Sequence, residues 1–202
     1  MSSNVEKILI IGLGMIGSSI ALSSKLKGIE VFGFDNFADT TSIALDKKII
    51  DQSIEHFDKI VDENFINNID LVILAVPPKQ TLDVLIQLKD IWNSEITITD
   101  TSSVKNHIKL EDVKNVVLSH PIAGSDKSGL EAADPELFLN MKNILCDPFH
   151  ANRDHFEKVE NFWKYALQMK TSLMTVSEHD LIFAMTSHLP HLVSYALIDS
   201  IR

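Results

Sequence analysis

Three glycines in one short turn constrain the fold of this chain more than any other feature. A short apolar run precedes them, and helix-forming residues continue beyond them. In such a strand–turn–helix unit the backbone can approach a pyrophosphate, and the first N–H groups of the helix bind its phosphates. The turn therefore predicts a dinucleotide-binding site made by Gly12, Gly14, Met15, Ile16 and Gly17.

An acidic residue at the end of the second predicted strand, 31–35, narrows the choice of ligand. Asp35 lies 18 residues after Gly17. An Asp near this distance accepts hydrogen bonds from ribose hydroxyls, and its charge would repel the 2′-phosphate of NADP. Glycines at this spacing also occur in ordinary turns, so the prediction of a dinucleotide site depends largely on Asp35. We predict NAD as the cofactor.

Apolar strand-like runs alternate with helix-like segments through most of the chain. Further strands are predicted at 69–76, 95–100, 116–119, 143–146 and 171–174, and helices at 80–89 and 154–167. Continuous apolar strands separated by helices are typical of a parallel sheet covered on both faces. We predict an α/β, Rossmann-type fold with a mostly parallel sheet over residues 1–175.

Residues 176–202 are predicted to form a second, helical unit. Ser177 is the expected N-cap, with Asp180 three residues later, and the helix would run to Arg202 over about 38 Å. Apolar residues surround much of its circumference, and such a helix is normally buried. We expect either another chain or a continuation of this polypeptide to cover it, and we favour the continuation.

Composition and charge disfavour several classes of partner. The chain has 202 residues and a formal net charge of −10, which disfavours nucleic acid and anionic membranes as partners. Cys146 is the only cysteine, which suits a reducing cytoplasm. The apolar N-terminal region lacks a positive leading segment and is interrupted by glycines, so it does not read as a signal peptide. No other stretch is expected to span a membrane.

Polar residues gather where predicted strands end. Ligands bind at the carboxyl ends of parallel strands, so these positions carry the most weight. Val76 and Pro77 end one strand, and Thr101 and Ser103 follow the next, while His120 comes directly after the strand 116–119. We predict that Val76, Pro77 and Thr101 face the cofactor, and that Ser103 and His120 face a hydroxyl-bearing substrate.

His120 is the strongest candidate for a catalytic group. A neutral imidazole can accept a proton from a substrate hydroxyl near pH 7, as oxidation of an alcohol requires. The alternative is a structural histidine bonded to loop carbonyls. Ser103 could bond the reacting hydroxyl or orient His120, and its alternative is a helix N-cap. Lys105 could pair with a carboxylate, although a solvated helix lysine is the simpler interpretation.

Ser187, His188 and His191 form a polar notch in the apolar C-terminal helix. The two histidines share a helical face, but no cysteine lies near and no third ligand is identifiable. We therefore predict no metal site and interpret the notch as a contact for substrate. The other histidines are predicted to be at the surface or structural; they are His56, His107, His150, His155 and His179.

Together these segments resemble the prephenate dehydrogenases. The motifs that carry the resemblance follow in order through the chain, at 12–17, 100–105, 120–129, 179–180 and 187–191. The resemblance implies NAD-dependent oxidative decarboxylation of prephenate to 4-hydroxyphenylpyruvate, in tyrosine biosynthesis. It also implies that His120 accepts the substrate hydroxyl with Ser103 as its partner. The residues Ser187, His188 and His191 would line the substrate side, and Asp126 the mouth of the site.

The resemblance further implies a homodimer formed through a C-terminal helical domain. Residues 176–202 would be only its first helix, and Arg202 matches no arginine of the family. Three alternatives stay open: an arogenate dehydrogenase, a related β-hydroxyacid or imine reductase, and an inactive or split NAD-binding fragment. The motifs around His120 and His191 argue against the reductase.

Overall fold

The structure, a computed structural model, describes residues 5–92 and 94–201. Its strands are β1 (Lys7–Ile11), β2 (Glu30–Phe34), β3 (Gln52–Ser53), β4 (Leu71–Leu74), β5 (Thr97–Asp100), β6 (Val116–Ile122), β7 (Lys142–Cys146) and β8 (Lys170–Leu173). They form one sheet in the order β3-β2-β1-β4-β5-β6-β7-β8. Each neighbouring pair is parallel except β6 with β7, which is antiparallel.

Helices connect most of these strands. The α-helices are α1 (Met15–Lys25), α2 (Ala38–Asp46), α3 (Glu63–Ile66), α4 (Pro78–Gln87), α5 (Arg153–Asn161), α6 (Val176–Phe183) and α7 (Leu189–Ser200). Short 3₁₀ turns lie at Phe57–Lys59, Lys89–Ile91 and Leu130–Ala132, and π-helical segments at Phe162–Ala166 and Ala184–His188.

The central strands of the sheet are buried on both faces. Along β1, Ile8 and Ile10 belong to one apolar cluster, which also contains Trp163, whereas Leu9 and Ile11 belong to a second cluster. This alternation follows from the pleat of a strand, which points successive side chains to opposite faces. The predicted α/β, Rossmann-type fold with a mostly parallel sheet is confirmed.

Strand β6 differs from the prediction in length and in its partner. It runs from Val116 to Ile122, so His120 lies within it rather than just after it. Its register with β7 pairs His120 with Ile144. The connection between these strands contains a 3₁₀ turn but no crossover helix. The connection from β5 to β6 also lacks an α-helix, yet that pair is parallel, so the missing helix alone does not set the direction of β7.

The N-cap of the C-terminal helix is also different from the prediction. Thr175, rather than Ser177, accepts a hydrogen bond from the N–H of Glu178 at 3.2 Å, and the Glu178 carboxylate accepts one from the N–H of Thr175 at 2.9 Å. This reciprocal pair is a capping box. Asp180 is therefore free of the capping role, and its carboxylate binds the backbone of another segment.

From Val176 to Ser200 the chain is continuously helical, over 25 residues. By length and composition alone this helix could cross a membrane, so the expectation that no such stretch exists was wrong. Its second half is exposed, with 65% of Leu192 and 68% of Tyr195 accessible. The predicted helix end at Arg202 lies outside the described residues.

Candidate functional site

The glycine turn is built by two close backbone approaches. Gly12 has a φ of +98°, and a Cβ there would lie 2.6 Å from the carbonyl oxygen of Ala75. A Cβ on Gly17 would lie 1.9 Å from the carbonyl oxygen of Gly12. Gly14 differs, because a Cβ there would have no neighbour within 4 Å. Two glycines thus hold α1 against β1 and β4, and the third opens onto free space.

Asp35 is hydrogen-bonded to the backbone of the glycine turn. One carboxylate oxygen accepts the N–H of Leu13 at 2.8 Å, and the other accepts the N–H of Phe37 at 3.0 Å. The side chain thereby ties the end of β2 to the glycine turn. Carboxylate oxygens have further lone pairs, so these bonds leave capacity for ribose hydroxyls.

A single cleft of about 800 Å³ brings most of the predicted residues together. Its lining includes Gly12, Gly14, Met15, Ile16, Asp35, Val76, Pro77, Thr101, Ser103 and His120. Gly17 lies beneath the turn instead, where its contact with Gly12 explains why a glycine is needed. The cleft thus joins the glycine turn and the candidate base in one space.

The residues at the glycine turn fit a dinucleotide. Helix α1 begins at Met15 with no acidic residue in its first turn. Its first N–H groups have no intrahelical partner, and the positive end of the helix dipole favours a phosphate. The open space at Gly14 lets a ligand come close to these donors.

His120 lines the same cleft and is only partly buried. Its Nδ1 is 2.9 Å from Nε2 of His179. Burial, then the nearby charge of Lys105, lowers the pKa of His120 to about 3. The ring is therefore neutral across the physiological range and able to accept a hydrogen bond.

Ser103 lies in the cleft with His120, but no hydrogen bond joins the two side chains within the described part of the chain. No helix follows Ser103, so the N-cap alternative is wrong. The neighbouring Ser102 instead donates to the carbonyl of Val104 at 2.9 Å. Ser103 is thus left free to face a ligand, and its catalytic role stays a prediction.

The structure places the other predicted substrate residues outside the cleft lining. Asp126 is exposed and accepts a hydrogen bond from Ser125 at 3.1 Å. His188 lies close enough to His120 for its charge to lower the pKa of that ring. His191 is exposed and stacks on Tyr195, with ring centroids 6.5 Å apart. Ser187 is partly buried, and the roles of all four residues stay predictions.

Within residues 5–92 and 94–201, no group of three or more His, Cys, Asp or Glu residues is arranged to hold a metal ion. The two histidines of the notch, His188 and His191, therefore have no third ligand there.

Family models match almost the whole chain. Residues 20–170 match the prephenate dehydrogenase nucleotide-binding domain, and residues 175–202 match the prephenate dehydrogenase dimerization domain. The chain belongs to the prephenate dehydrogenase family.

Individual relatives agree with this membership. A prephenate dehydrogenase from Lactococcus lactis is 34% identical over 96% of this chain and 53% of its own length. A cyclohexadienyl dehydrogenase from Zymomonas mobilis is 31% identical over 97% of this chain and 67% of its own. The crystal structure of Aquifex aeolicus prephenate dehydrogenase with hydroxyphenyl propionate and NAD⁺ superposes with a TM-score of 0.87, at 30% identity, and covers 99% of this chain and 70% of that one. The chain thus spans about half the length of the first of these sequence relatives and two thirds of the length of the second.

In this member of the prephenate dehydrogenase family, two residues near His120 differ from the interpretation that the sequence favoured, although pairing of Lys105 with a carboxylate was one of the alternatives. Lys105 is fully buried, not solvated, and its Nζ donates to both oxygens of Asp100 at 2.7 and 2.6 Å and to the carbonyl of Ser119 at 2.5 Å. Burial lowers the pKa of Lys105, an effect that Asp100 opposes. The signal for this pair was an acid ending a buried strand, since a buried carboxylate needs a partner.

His179 is the second residue that was missed. Its side chain is fully buried and contacts His120, whereas the sequence suggested a surface or structural position with no special setting. The adjacent Asp180, in the first turns of a helix, was the available signal. An Asp beside a His at a helix start can hold the imidazole in one orientation.

Proposed function

We propose that this chain catalyses the NAD-dependent oxidative decarboxylation of prephenate to 4-hydroxyphenylpyruvate, a step of tyrosine biosynthesis. The observation that carries the proposal is the shared cleft, in which a glycine turn suited to a dinucleotide and a neutral His120 lie together. Membership in the prephenate dehydrogenase family supports the choice of substrate.

The cofactor side of the cleft is assigned to the glycine turn and the neighbouring strand ends. NAD, when bound, would supply the acceptor for a hydride. The N–H groups at the start of α1 would bind its phosphates, and Asp35 its ribose hydroxyls. The residues assigned to this side are Gly12, Gly14, Met15, Ile16, Gly17, Asp35, Val76, Pro77 and Thr101.

On the substrate side, His120 accepts the proton of the ring hydroxyl at C4. Its proton acceptance lets the C4–O bond become a carbonyl as the hydrogen at C4 leaves with its electron pair. Loss of the ring carboxylate as carbon dioxide leaves its electron pair in the conjugated ring, which becomes the aromatic phenolate, and protonation of that oxygen gives the phenol of the product. Ser103 is assigned as the partner of His120, with Asp126, Ser187, His188 and His191 as further substrate contacts.

We also propose a division into a nucleotide-binding domain, 1–175, and a helical unit, 176–202. The exposed apolar surface of α7 and the match to a dimerization domain support a homodimer through this unit. The same match favours a protein partner over a membrane for this helix. A cytoplasmic location is consistent with the single, buried, free Cys146.

Arogenate is the second candidate substrate. The similarity to a protein named cyclohexadienyl dehydrogenase motivates it, because prephenate and arogenate are both cyclohexadienyl compounds. They differ in the side chain, where prephenate has a keto group and arogenate an amino group. None of the predicted substrate residues outside the cleft lining selects between them.

The test is a steady-state assay of the purified chain with NAD and either substrate, following NADH and carbon dioxide. We expect equal amounts of both products from prephenate and a lower kcat/KM with arogenate. The opposite preference would assign the chain to arogenate. A chain that binds NAD but turns over neither compound would support the fragment alternative and refute the proposed activity.

A further inference from the structure

Three side chains form a hydrogen-bonded series that ends at the candidate base. Nδ1 of His120 lies 2.9 Å from Nε2 of His179, and Nδ1 of His179 lies 2.7 Å from a carboxylate oxygen of Asp180. His179 is fully buried, so water does not compete for its ring nitrogens. The series runs from β6 to the first turns of α6.

Asp180 can only accept hydrogen bonds in this arrangement. Its carboxylate also accepts the N–H of Asn106 at 2.8 Å and the N–H of Lys105 at 3.0 Å. Burial opposes its ionisation, but the bonds from His179, Asn106 and Lys105 outweigh burial and lower its pKa. An ionised carboxylate has no proton to donate, so Nδ1 of His179 must be the donor in the bond between them.

Because Asp180 is an acceptor, the donor and acceptor in each hydrogen bond of the series can be assigned. Burial lowers the pKa of His179, so its ring is neutral and carries one proton, at Nδ1. Its Nε2 is then an acceptor, and Nδ1 of His120 must donate to it. His120 is neutral as well, which leaves its Nε2 without a proton.

We propose that His179 and Asp180 are positioning residues that hold His120 in the tautomer protonated at Nδ1, so that Nε2 is the acceptor for the substrate hydroxyl. Without this constraint, a histidine side chain in water favours the opposite tautomer, in which Nε2 carries the proton and cannot accept. This inference rests on the proposed function of His120 and adds the reason why that side chain is ready to accept.

The hydrogen bonds of the same series remain when His120 has accepted the proton, and the charge of Asp180 favours that state. The new proton sits on Nε2, while the proton on Nδ1 stays hydrogen-bonded to His179, whose own ring is supported by the negative charge of Asp180. The other charged or titratable groups facing His120 are Lys105, which is paired with Asp100, and His188. Lys105, His179 and His188 all lower the pKa of His120 and so disfavour the imidazolium, and Asp180 is the group that opposes them.

Phe183 holds the two rings in place by packing. Its ring centroid lies 4.8 Å from that of His120 and 4.7 Å from that of His179. It offers no hydrogen bond to Nδ1 of His120. Phe183→Leu is therefore a matched control, because it disturbs the packing around both histidines and leaves the hydrogen-bonded series intact.

The first test reads the tautomer directly in the full chain and needs no substrate. In ¹⁵N-histidine-labelled protein near pH 7, we expect His120 to show a protonated Nδ1 and an unprotonated Nε2. His179→Phe should shift His120 toward the form protonated at Nε2. His179→Gln, whose amide oxygen can reach the position of Nε2, should retain the original form. A wild-type His120 protonated at Nε2, or a tautomer unaffected by His179→Phe, would overturn the inference.

The second test measures turnover of prephenate in the same variants. We expect His179→Phe to lower kcat by about 10- to 100-fold with little change in KM, since the lost group acts through another side chain. His179→Gln should recover most of this loss. Equal losses in His179→Gln and His179→Phe would show a packing role and contradict the proposal. If the tautomer is as expected but the wild-type chain does not turn over prephenate, the proposed function fails and the positioning role stands.

Discussion

At the scale of single residues, environment rather than residue type sets the chemistry of the cleft. His120 is kept neutral by burial and by the charge of Lys105, which together lower its pKa to about 3. Asp35 has both carboxylate oxygens bonded to backbone N–H groups. The protonation state of His120 and the orientation of Asp35 are therefore both set by their surroundings.

The charge of Asp35 is expected to select NAD over NADP. In Asp35→Asn, removal of the carboxylate charge relieves its repulsion of a 2′-phosphate, and the ratio of NAD to NADP affinity should fall at least about tenfold, or about 1.4 kcal/mol. Fluorescence titration with both dinucleotides measures this ratio. Asp39→Asn is the matched control, because Asp39 lies in the first turn of α2 and does not line the cleft. An unchanged ratio in Asp35→Asn would refute the role of the charge.

The sequence predicted residues whose role depends on local spacing and missed those whose role depends on tertiary contact. The glycine turn and Asp35 follow from a short-range pattern, so both were identified. His179 becomes informative only when β6 and α6 meet, because its partner is His120. The pairing of Lys105 with a carboxylate was an open alternative, but its burial depends on the approach of β6, where it bonds the carbonyl of Ser119. No periodicity within one segment contains that information.

At the scale of secondary-structure elements, the turn between β1 and α1 contains two glycines, Gly14 and Gly17, that have different functions. Gly17→Ala should destabilise the fold by about 1–3 kcal/mol or more, because its Cβ would overlap the carbonyl of Gly12. Gly14→Ala should fold normally and bind NAD more weakly, since its Cβ enters open space at the phosphate position. Urea denaturation and NAD titration of both variants separate the effects. Equal stability losses would contradict this division.

The buried ion pair between Asp100 and Lys105 joins the end of β5 to the backbone of β6. Lys105→Met should destabilise the chain by about 3–5 kcal/mol, because it leaves a buried carboxylate without its partner. The double variant Asp100→Leu/Lys105→Met should lose less, since no charge remains buried. Chemical denaturation measures both free energies of unfolding. A double variant less stable than Lys105→Met would show that the pair itself stabilises the fold.

Element types were more predictable than their ends and directions. The alternation of apolar runs with helices predicted the sheet but not every strand direction. The β5–β6 and β6–β7 connections both lack an α-helix, and only the second pair is antiparallel. Thr175 and Glu178 have the usual residue types and spacing of a capping box. Ser177 and Asp180 have the same spacing two residues later, and the sequence alone did not distinguish the two pairs. The contact of Asp180 with Lys105 and Asn106, which is long-range, explains why Asp180 does not serve as a cap.

At the scale of the whole molecule, the helix from Val176 to Ser200 connects the site to an exposed surface. Its first turns bury His179 against His120, whereas Leu192 and Leu197 are 65% and 62% accessible. A second copy of the chain packed on that surface would bury apolar area near the substrate side of the cleft. Dimerisation and the order of the site are therefore expected to be coupled.

The homodimer is tested by placing a charge on this surface. Leu192→Glu should weaken the dimer at least about tenfold, because a charge buried at an interface without a partner costs more than 1.4 kcal/mol. Sedimentation equilibrium measures the dimer dissociation constant. Leu26→Glu is the control, since Leu26 is 73% accessible at the end of α1, far from the helical unit in sequence. A dimer insensitive to Leu192→Glu would place the interface elsewhere.

We propose that His120 acts on a substrate in the same cleft that contains the glycine turn. The most direct measurement is turnover of prephenate by wild-type chain and His120→Asn, with NAD affinity determined for both. Because the amide cannot take the hydroxyl proton, we expect turnover to fall by about 10²–10⁴-fold while NAD affinity is retained. Near-normal turnover in His120→Asn, or a wild-type chain that binds NAD without consuming prephenate, would contradict the claim.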